Sequence, residues 1–112
     1  MIKEIDTELF YKFLKLHKTK IMMARPKVDK CFARIWHNKI IAVGGMYRDK
    51  AVGLVVDERF RGHGYAKELV LHRINLGVKR AYLTQDSLKL YLNHGFVINR
   101  SFKRTYYVIR SG

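Results

Sequence analysis

The residues best suited to chemistry lie in a short segment around two glycines, from Leu54 to Ala66 (LVVDERFRGHGYA). Its apolar start is typical of a β-strand, Gly62 and Gly64 predict a turn, and a helical pattern follows. A helix N-terminus leaves four N–H groups unpaired and carries partial positive charge, and glycine lets an anion approach the backbone closely. The segment therefore predicts a phosphate-binding turn, although a purely structural strand–turn–helix has the same pattern.

The chain before this segment predicts a helix and then strands. Apolar residues recur at steps of three and four near the start, which indicates an amphipathic helix: Ile2, Ile5, Leu9, Phe13 and Leu16. Asp6 or Thr7 is available as its N-cap, and a short edge strand is the alternative for Ile2. The pattern leaves residues 17–30 unassigned, because a short helix that Pro26 would stop is only weakly indicated.

The remaining elements frame the glycine segment. β-Branched and aromatic residues broken by turn formers predict antiparallel strands at 31–37, 40–47 and 51–56. Helical spacing from Ala66 to Ile74 predicts a helix of about four turns that ends before Gly77. Further on, the pattern indicates a strand at 80–84, a helix at 87–93, and strands at 96–98 and 105–109. The predicted fold is of the α/β (α+β) class: a mixed, mostly antiparallel sheet of about six strands with helices on both faces, in a single domain of residues 1–112.

The charge of the chain is strongly basic. Twenty-three Lys and Arg face nine Asp and Glu, which gives a net charge of +14. Such a field attracts polyanions, and nucleic acid is the foremost candidate; the alternative is that the charge only keeps the protein soluble. The sequence predicts a basic stripe in its first half, made of Lys15, Lys18, Lys20, Arg25, Lys27, Lys30, Arg34 and Lys39.

Aromatic and basic residues also interleave near the C-terminus, where they are suited to stacking bases and contacting phosphates. The rings are Phe102, Tyr106 and Tyr107, and the cations are Arg100, Lys103, Arg104 and Arg110. Alternating residues of a final β-strand have the same pattern, and that interpretation is favoured on the sequence alone.

Several classes of site are not expected. Cys31 is the one cysteine, so no disulfide or CxxC pair is available, and we expect a buried thiol in an intracellular, cytoplasmic protein. The five histidines lack metal-ligand spacing, and no apolar run is long enough for a membrane span. We therefore expect no metal and no membrane.

The glycine segment resembles motif A of the GCN5-related N-acetyltransferases, the GNAT superfamily. That motif reads Arg or Gln, two residues, Gly, one residue, then Gly or Ala, and Arg61, Gly64 and Ala66 match it. The apolar strand before it and the helix after it are also typical of the family. Some thirty residues further on, Leu90 to Phe96 (LYLNHGF) is similar to the closing motif Leu-Tyr-x-x-x-Gly-Phe.

The resemblance covers about residues 31 to 110 and implies acetyl-CoA as the acetyl donor and a primary amine as the acceptor. By it, the backbone of Arg61 to Ala66 holds the pyrophosphate and Val56 bonds the pantetheine arm. The implied cofactor-binding residues are Leu54, Val56, Arg61, Gly62, His63, Gly64, Tyr65, Ala66 and Thr84. Thr84 departs from the family's usual Asn, and the N-terminal region that shapes the acceptor pocket is shorter than usual.

The resemblance also suggests catalytic residues. Tyr91 lies at the position from which the family donates a proton to the departing sulfur, although its ring has the alternative of packing beside Phe96. An amine with a pKa near ~10 needs a base before it attacks, and Asp57 and Glu58 are the candidates; charged residues before a turn are more often only solvated. A backbone N–H near Val56 would stabilise the oxyanion.

The acceptor stays open at this point. The basic surface favours an amine on nucleic acid, such as aminoacyl-tRNA or a modified base. A protein or peptide amine on an acidic partner is the alternative, as is a non-catalytic binding module that has kept the fold. The sequence also leaves open a homodimer.

Overall fold

The structure is a computed structural model and describes residues 1–17 and 26–111. Its first half contains strand β1 (Ile2–Ile5), helix α1 (Thr7–Leu16) and strands β2 (Lys30–Trp36), β3 (Lys39–Tyr47) and β4 (Lys50–Val56). A 3₁₀ turn (Glu58–Phe60) leads to helix α2 (Tyr65–Asn75) and strand β5 (Arg80–Leu83). Helix α3 (Gln85–Leu92) and strands β6 (Val97–Ser101) and β7 (Tyr106–Ile109) complete the fold.

The seven strands of the described residues form one sheet in the order β1-β2-β3-β4-β5-β7-β6. The pair β4–β5 is parallel, and the other five neighbouring pairs are antiparallel. The predicted α/β class with a mostly antiparallel sheet is therefore confirmed. The prediction of six strands missed β1, which pairs with β2 at the sheet edge.

The placement of Ile2 and Ile5 in the first helix was wrong, and the edge-strand alternative is correct. Asp6 has an extended backbone (φ −65°, ψ 148°) and is the N-cap of α1. Its extended conformation ends the strand and starts the helix at Thr7. Isoleucine favours strands as well as buried helix positions, so pairing with β2 decided the outcome.

The sheet buries an apolar core on each face, as predicted. Helix α1 packs through Phe10 and its neighbours against Cys31 and Ala33 of β2. Helices α2 and α3 pack on the opposite face, against Phe32 and strands β3, β5 and β7. Alternate residues of β2 point to opposite faces because a strand has a period of two.

The end of α2 follows from Gly77. The Gly77 amide donates to the Ile74 carbonyl and the Val78 amide to the Arg73 carbonyl, which is a Schellman C-cap. Gly77 has φ +105°, so the prediction of a C′ glycine is confirmed. The helix spans 11 residues, or about three turns instead of four.

The other boundaries differ from the prediction by one to three residues. Helix α3 begins at Gln85 rather than at Ser87, because Thr84 has an extended backbone and is its N-cap. Strand β6 runs to Ser101, beyond the predicted end at residue 98. Within residues 1–17 and 26–111, no helix is long and apolar enough to span a membrane.

Cys31 is buried in the core under α1, as expected. Its thiol donates to the Ile5 carbonyl at 3.1 Å. Burial, with the nearby Glu4 and Asp6 charges, raises the pKa of the thiol to about 11. The thiol therefore stays protonated at neutral pH, as suits a small buried side chain.

The predicted basic stripe is only partly described. Lys18, Lys20 and Arg25 lie outside the described residues. Lys15, Lys27, Lys30 and Lys39 are exposed. Arg34 forms an ion pair with Glu68 of α2 at 3.0 Å, so its charge is balanced.

Candidate active site

Strands β4 and β5 separate soon after they meet, and a cavity opens between them. They pair at Lys50 with Arg80 and at Ala51 with Ala81. The cavity has a volume of about 200 Å³. It is lined by residues of β4, β5, α2 and α3: Ala51, Val52, Gly53, Leu54, Arg73, Ala81, Tyr82, Leu83, Thr84, Ser87 and Tyr91. Of the residues predicted from sequence, the cavity brings together Leu54, Thr84 and Tyr91.

A β-bulge shapes the β4 wall of the cavity. The register between β3 and β4 shifts at Gly44 and Gly45, and Gly53 is the extra residue, with φ +56°. A Cβ on Gly53 would lie 2.9 Å from the ring of Phe10. Both the backbone conformation and the close approach of α1 therefore require glycine here.

Arg73 is the functional candidate that the sequence analysis missed. It is only 2% exposed, and Nη1 donates to the Gly45 carbonyl at 3.0 Å and the Val52 carbonyl at 3.4 Å. Its Nε has no partner in the described chain, and no carboxylate pairs with it there. Burial lowers the pKa of this guanidinium. The sequence did contain a signal for Arg73, because a charged residue at this position interrupts the apolar stripe of α2 next to Ile74.

Tyr91 lies opposite this charge. It is 1% exposed, and its hydroxyl is 3.5 Å from Arg73 Nη2. Burial raises the pKa of the phenol, and the nearby guanidinium partly opposes that rise. The ring also packs edge-on against Phe96, with centroids 5.0 Å apart. The ring therefore packs beside Phe96, and the hydroxyl lies at the cavity, while the role of Tyr91 as a proton donor stays a prediction.

Residues 61–66, which we call the glycine turn, lie beyond the end of β4. Gly62 and Gly64 have φ of +83° and +84°, and no atom lies within 4 Å of where a Cβ would stand on either. The first backbone bond of α2 runs from the Glu68 amide to the Gly64 carbonyl. Across the described residues, the amides of 62–67 donate no hydrogen bond to a protein acceptor. These N–H groups are free to bind an anion, as the sequence predicted.

The glycine turn and the cavity lie toward opposite ends of β4. Val52 in the cavity wall and Val56 at the strand end are four residues apart, or about 13 Å. Val56 does not line the cavity, and its carbonyl accepts a long 3.4 Å bond from Arg61 Nε. A ligand that used both places would need phosphate at one end and an extended arm along β4.

The two candidate bases lie between the cavity residues of β4 and the glycine turn in the sequence, and they have different surroundings. Asp57 is 2% exposed and caps the 3₁₀ turn, accepting from the Arg59 amide at 3.0 Å. Its carboxylate also accepts from Arg59 Nη2 at 2.9 Å. These side-chain bonds lower the pKa of Asp57 to about 2, which makes it a weak base. Glu58 is exposed and keeps its carboxylate available.

The arrangement fits an acyl-CoA. The free amides suit a pyrophosphate, and the splayed strands leave room for an extended arm. Tyr91 supplies a hydroxyl at the same place. The residues present therefore fit the donor that the resemblance implies.

Comparisons with known proteins agree with this fold. The profile of the acetyltransferase (GNAT) domain matches residues 28–98, more than half of the 112 residues. A chain of the NatC complex bound to Gag peptide and CoA has 15% identity and a TM-score of 0.73, over 100% of this chain and 98% of that one. Ard1 from Thermoplasma volcanium has 16% identity and a TM-score of 0.68, over 100% and 98%.

A third solved structure, Rv2747 from Mycobacterium tuberculosis in complex with CoA and NLQ, has 13% identity and a TM-score of 0.65, over 92% of this chain and 75% of that one. Identities this low show a shared fold. No curated protein sequence matches the chain significantly. The domain match, the fold and the geometry along β4 together show that the chain belongs to the GNAT family of acetyltransferases and uses acetyl-CoA as its donor.

Proposed function

We propose that this chain transfers the acetyl group of acetyl-CoA to a primary amine carried by a nucleic acid. The observation that supports acetyl transfer is the cavity between the splayed strands. Its lining includes Tyr91 and residues of β4, the strand that leads into the free amides. When bound, acetyl-CoA supplies a thioester that a neutral amine attacks. The remaining chemistry belongs to residues of this chain.

Binding rests on the backbone of the glycine turn. The amides of 62–67 are oriented at the N-terminus of α2, where the helix dipole adds partial positive charge. Leu54 and Thr84 line opposite walls of the cavity and would exclude water beside the arm. Arg61 at the start of the turn adds a charge close to the phosphate position.

Tyr91 would hold the proton that the leaving group needs. Burial raises the pKa of its phenol, so the hydroxyl stays protonated at neutral pH. Arg73, 3.5 Å away, would stabilise negative charge at Tyr91 Oη once the proton has moved. On the acceptor side Glu58 is the better candidate base, since Asp57 is tied to Arg59.

The nucleic-acid acceptor is supported by charge. Residues 80–112 contain six Lys and Arg but one acid, Asp86, on a chain with a net charge of +14. A peptide amine is the second candidate, because the similar NatC structure is bound to a Gag peptide. Acidic peptides would meet the same positive field, so the two must be separated by experiment.

The test has two stages. Calorimetry on ligand-free protein should give micromolar acetyl-CoA binding; no binding would contradict the proposal. Release of free thiol is then measured with aminoacyl-tRNA, with amine-bearing oligonucleotides and with acidic peptides. Faster release with the nucleic acids is expected, and release with peptides alone would favour the second candidate.

A further inference from the structure

The face of β5, β7 and β6 on the α1 side of the sheet carries exposed rings. Ala81 and Val108 point into the core on the other face, so alternation places their neighbours Tyr82 and Tyr107 on this one. Helix α1 packs on β2 and β3, and no helix in residues 1–17 or 26–111 covers the rings. Tyr82 is 53% exposed, and Phe102 after β6 is 51% exposed. We call this surface the open face.

The rings of the open face form one shallow platform. The Tyr82 and Tyr107 centroids are 4.7 Å apart with 31° between their planes. Phe102 lies 6.5 Å from Tyr82 at 36°. Lys50 Nζ is 4.9 Å from the Tyr82 centroid. Planar groups stack on exposed aromatic rings, and Tyr82 and Phe102 each leave about half of their surface exposed.

Unpaired cations surround this platform. Arg80 is balanced by Asp49 at 2.8 Å. In the described chain, by contrast, no carboxylate pairs with Lys50, Arg100, Lys103 or Arg104. The one acid of residues 80–112, Asp86, lies in the first turn of α3, across the sheet. The open face therefore combines stacking rings with uncompensated positive charge.

We propose that the open face binds single-stranded nucleic acid, with bases stacked on Tyr82, Tyr107 and Phe102 and phosphates beside Lys50 and Lys103. Single-stranded nucleic acid matches both the rings and the cations of this face. An acidic protein has negative charge but no bases to stack, and the bases of a duplex are already stacked on one another. The inference rests on the proposed function, since it names what presents the amine. Tyr82 also lines the cavity, which places the open face next to the proposed acetyl site.

The structure changes the set of residues that the sequence suggested. Tyr106 donates to Gln85 of α3 at 2.8 Å, and Arg110 lies over Phe96, so both belong to the opposite face. Tyr82 and Lys50, which are distant in sequence from the C-terminal residues, join the platform instead.

Fluorescence anisotropy with a labelled single-stranded RNA of about twelve nucleotides, in the absence of acetyl-CoA, tests the proposal. Phe102→Leu should lower affinity roughly tenfold, because one stacking ring is lost, whereas Phe102→Tyr should retain it. Lys103→Gln should reduce the slope of log affinity against log salt by about 0.7. Lys89→Gln, on the exposed side of α3, is the matched control and should leave the slope unchanged.

Three results would overturn the proposal: equal affinity for the duplex or for polyglutamate, no loss with Phe102→Leu, or a concentration-dependent dimer that Phe102→Leu abolishes. Phe102 does not line the cavity, so acetyl-CoA binding by this variant should match that of the parent protein. Parent protein that binds RNA but not acetyl-CoA would contradict the proposed function alone. Parent protein that binds acetyl-CoA and releases thiol with aminoacyl-tRNA, but does not bind the single-stranded RNA, would contradict the open-face inference alone.

Discussion

The glycine turn and the cavity lie toward opposite ends of β4, and they offer different kinds of hydrogen-bond donor to a ligand. The turn is exposed and offers backbone amides from consecutive residues. The cavity is lined by four elements and presents side chains, among them a buried guanidinium without a carboxylate partner. A phosphate carries permanent charge, and exposed donors suffice to hold it. Charge that exists only during a reaction needs donors that are already fixed in a dry site.

The strongest test of this difference is Tyr91→Phe. We expect kcat to fall by about 10²-fold, the lower range for loss of a general acid. Acetyl-CoA affinity should change little, because in the proposed binding mode the phosphates contact the glycine turn and not Tyr91. Thiol-release kinetics and calorimetry measure the two quantities. An unchanged kcat would mean that the ring only packs beside Phe96.

The next effect is expected at the turn. Gly64→Ala places a side chain at φ +84°, which costs about 1–2 kcal/mol, and the turn would relax away from its anion-binding geometry. Acetyl-CoA affinity should fall roughly tenfold, as this strain energy predicts. Gly77→Ala is the matched control, since it has φ +105° at the other end of α2. Equal loss of affinity in both variants would show a general effect of strain on the helix.

Arg73→Met tests the role of the buried guanidinium in the cavity. Thermal stability should be unchanged or higher, because a buried charge without a counter-charge is costly. Turnover should fall roughly fivefold, because the guanidinium no longer stabilises charge at Tyr91. A spectroscopic pH titration should show the pKa of Tyr91 rising further. A stability loss with normal turnover would assign Arg73 a purely structural role at the bulge carbonyls.

The smallest effect concerns Asp57, which lies between the two places. Its pKa is lowered from 3.8 to about 2 in the folded protein. The ionised carboxylate therefore adds to the free energy of unfolding above pH 3.8, and this contribution is lost as the pH falls toward 2. Asp57→Asn should cost less than about 1 kcal/mol at neutral pH, because Arg59 is largely exposed. Thermal melts should converge with those of the parent protein near pH 2. Loss of turnover without loss of stability would instead support Asp57 as the base.

Elements that a few neighbouring residues determine were predicted better than elements that depend on contacts between distant parts of the chain. The glycine turn and the C-cap at Gly77 were predicted because a few adjacent residues determine them. Ile2 was misassigned because its spacing fits a helix, and only pairing with β2 shows that it is in a strand. Thr84 was named as a cofactor-binding residue only through the family resemblance, and its position beside Leu54 and Tyr91 in the cavity depends on the packing of β4, β5 and α3.

The amino-acid sequence by itself determined the family, the glycine turn, the basic charge and most of the order of elements. These properties depend on residues close together in the chain or on composition alone. Only the tertiary structure showed that Arg73 faces Tyr91 without a counter-charge, and that Tyr82 joins Phe102 on one uncovered surface. The physical reason is that strand pairing and helix packing bring these residues together, and neither can be read from local spacing.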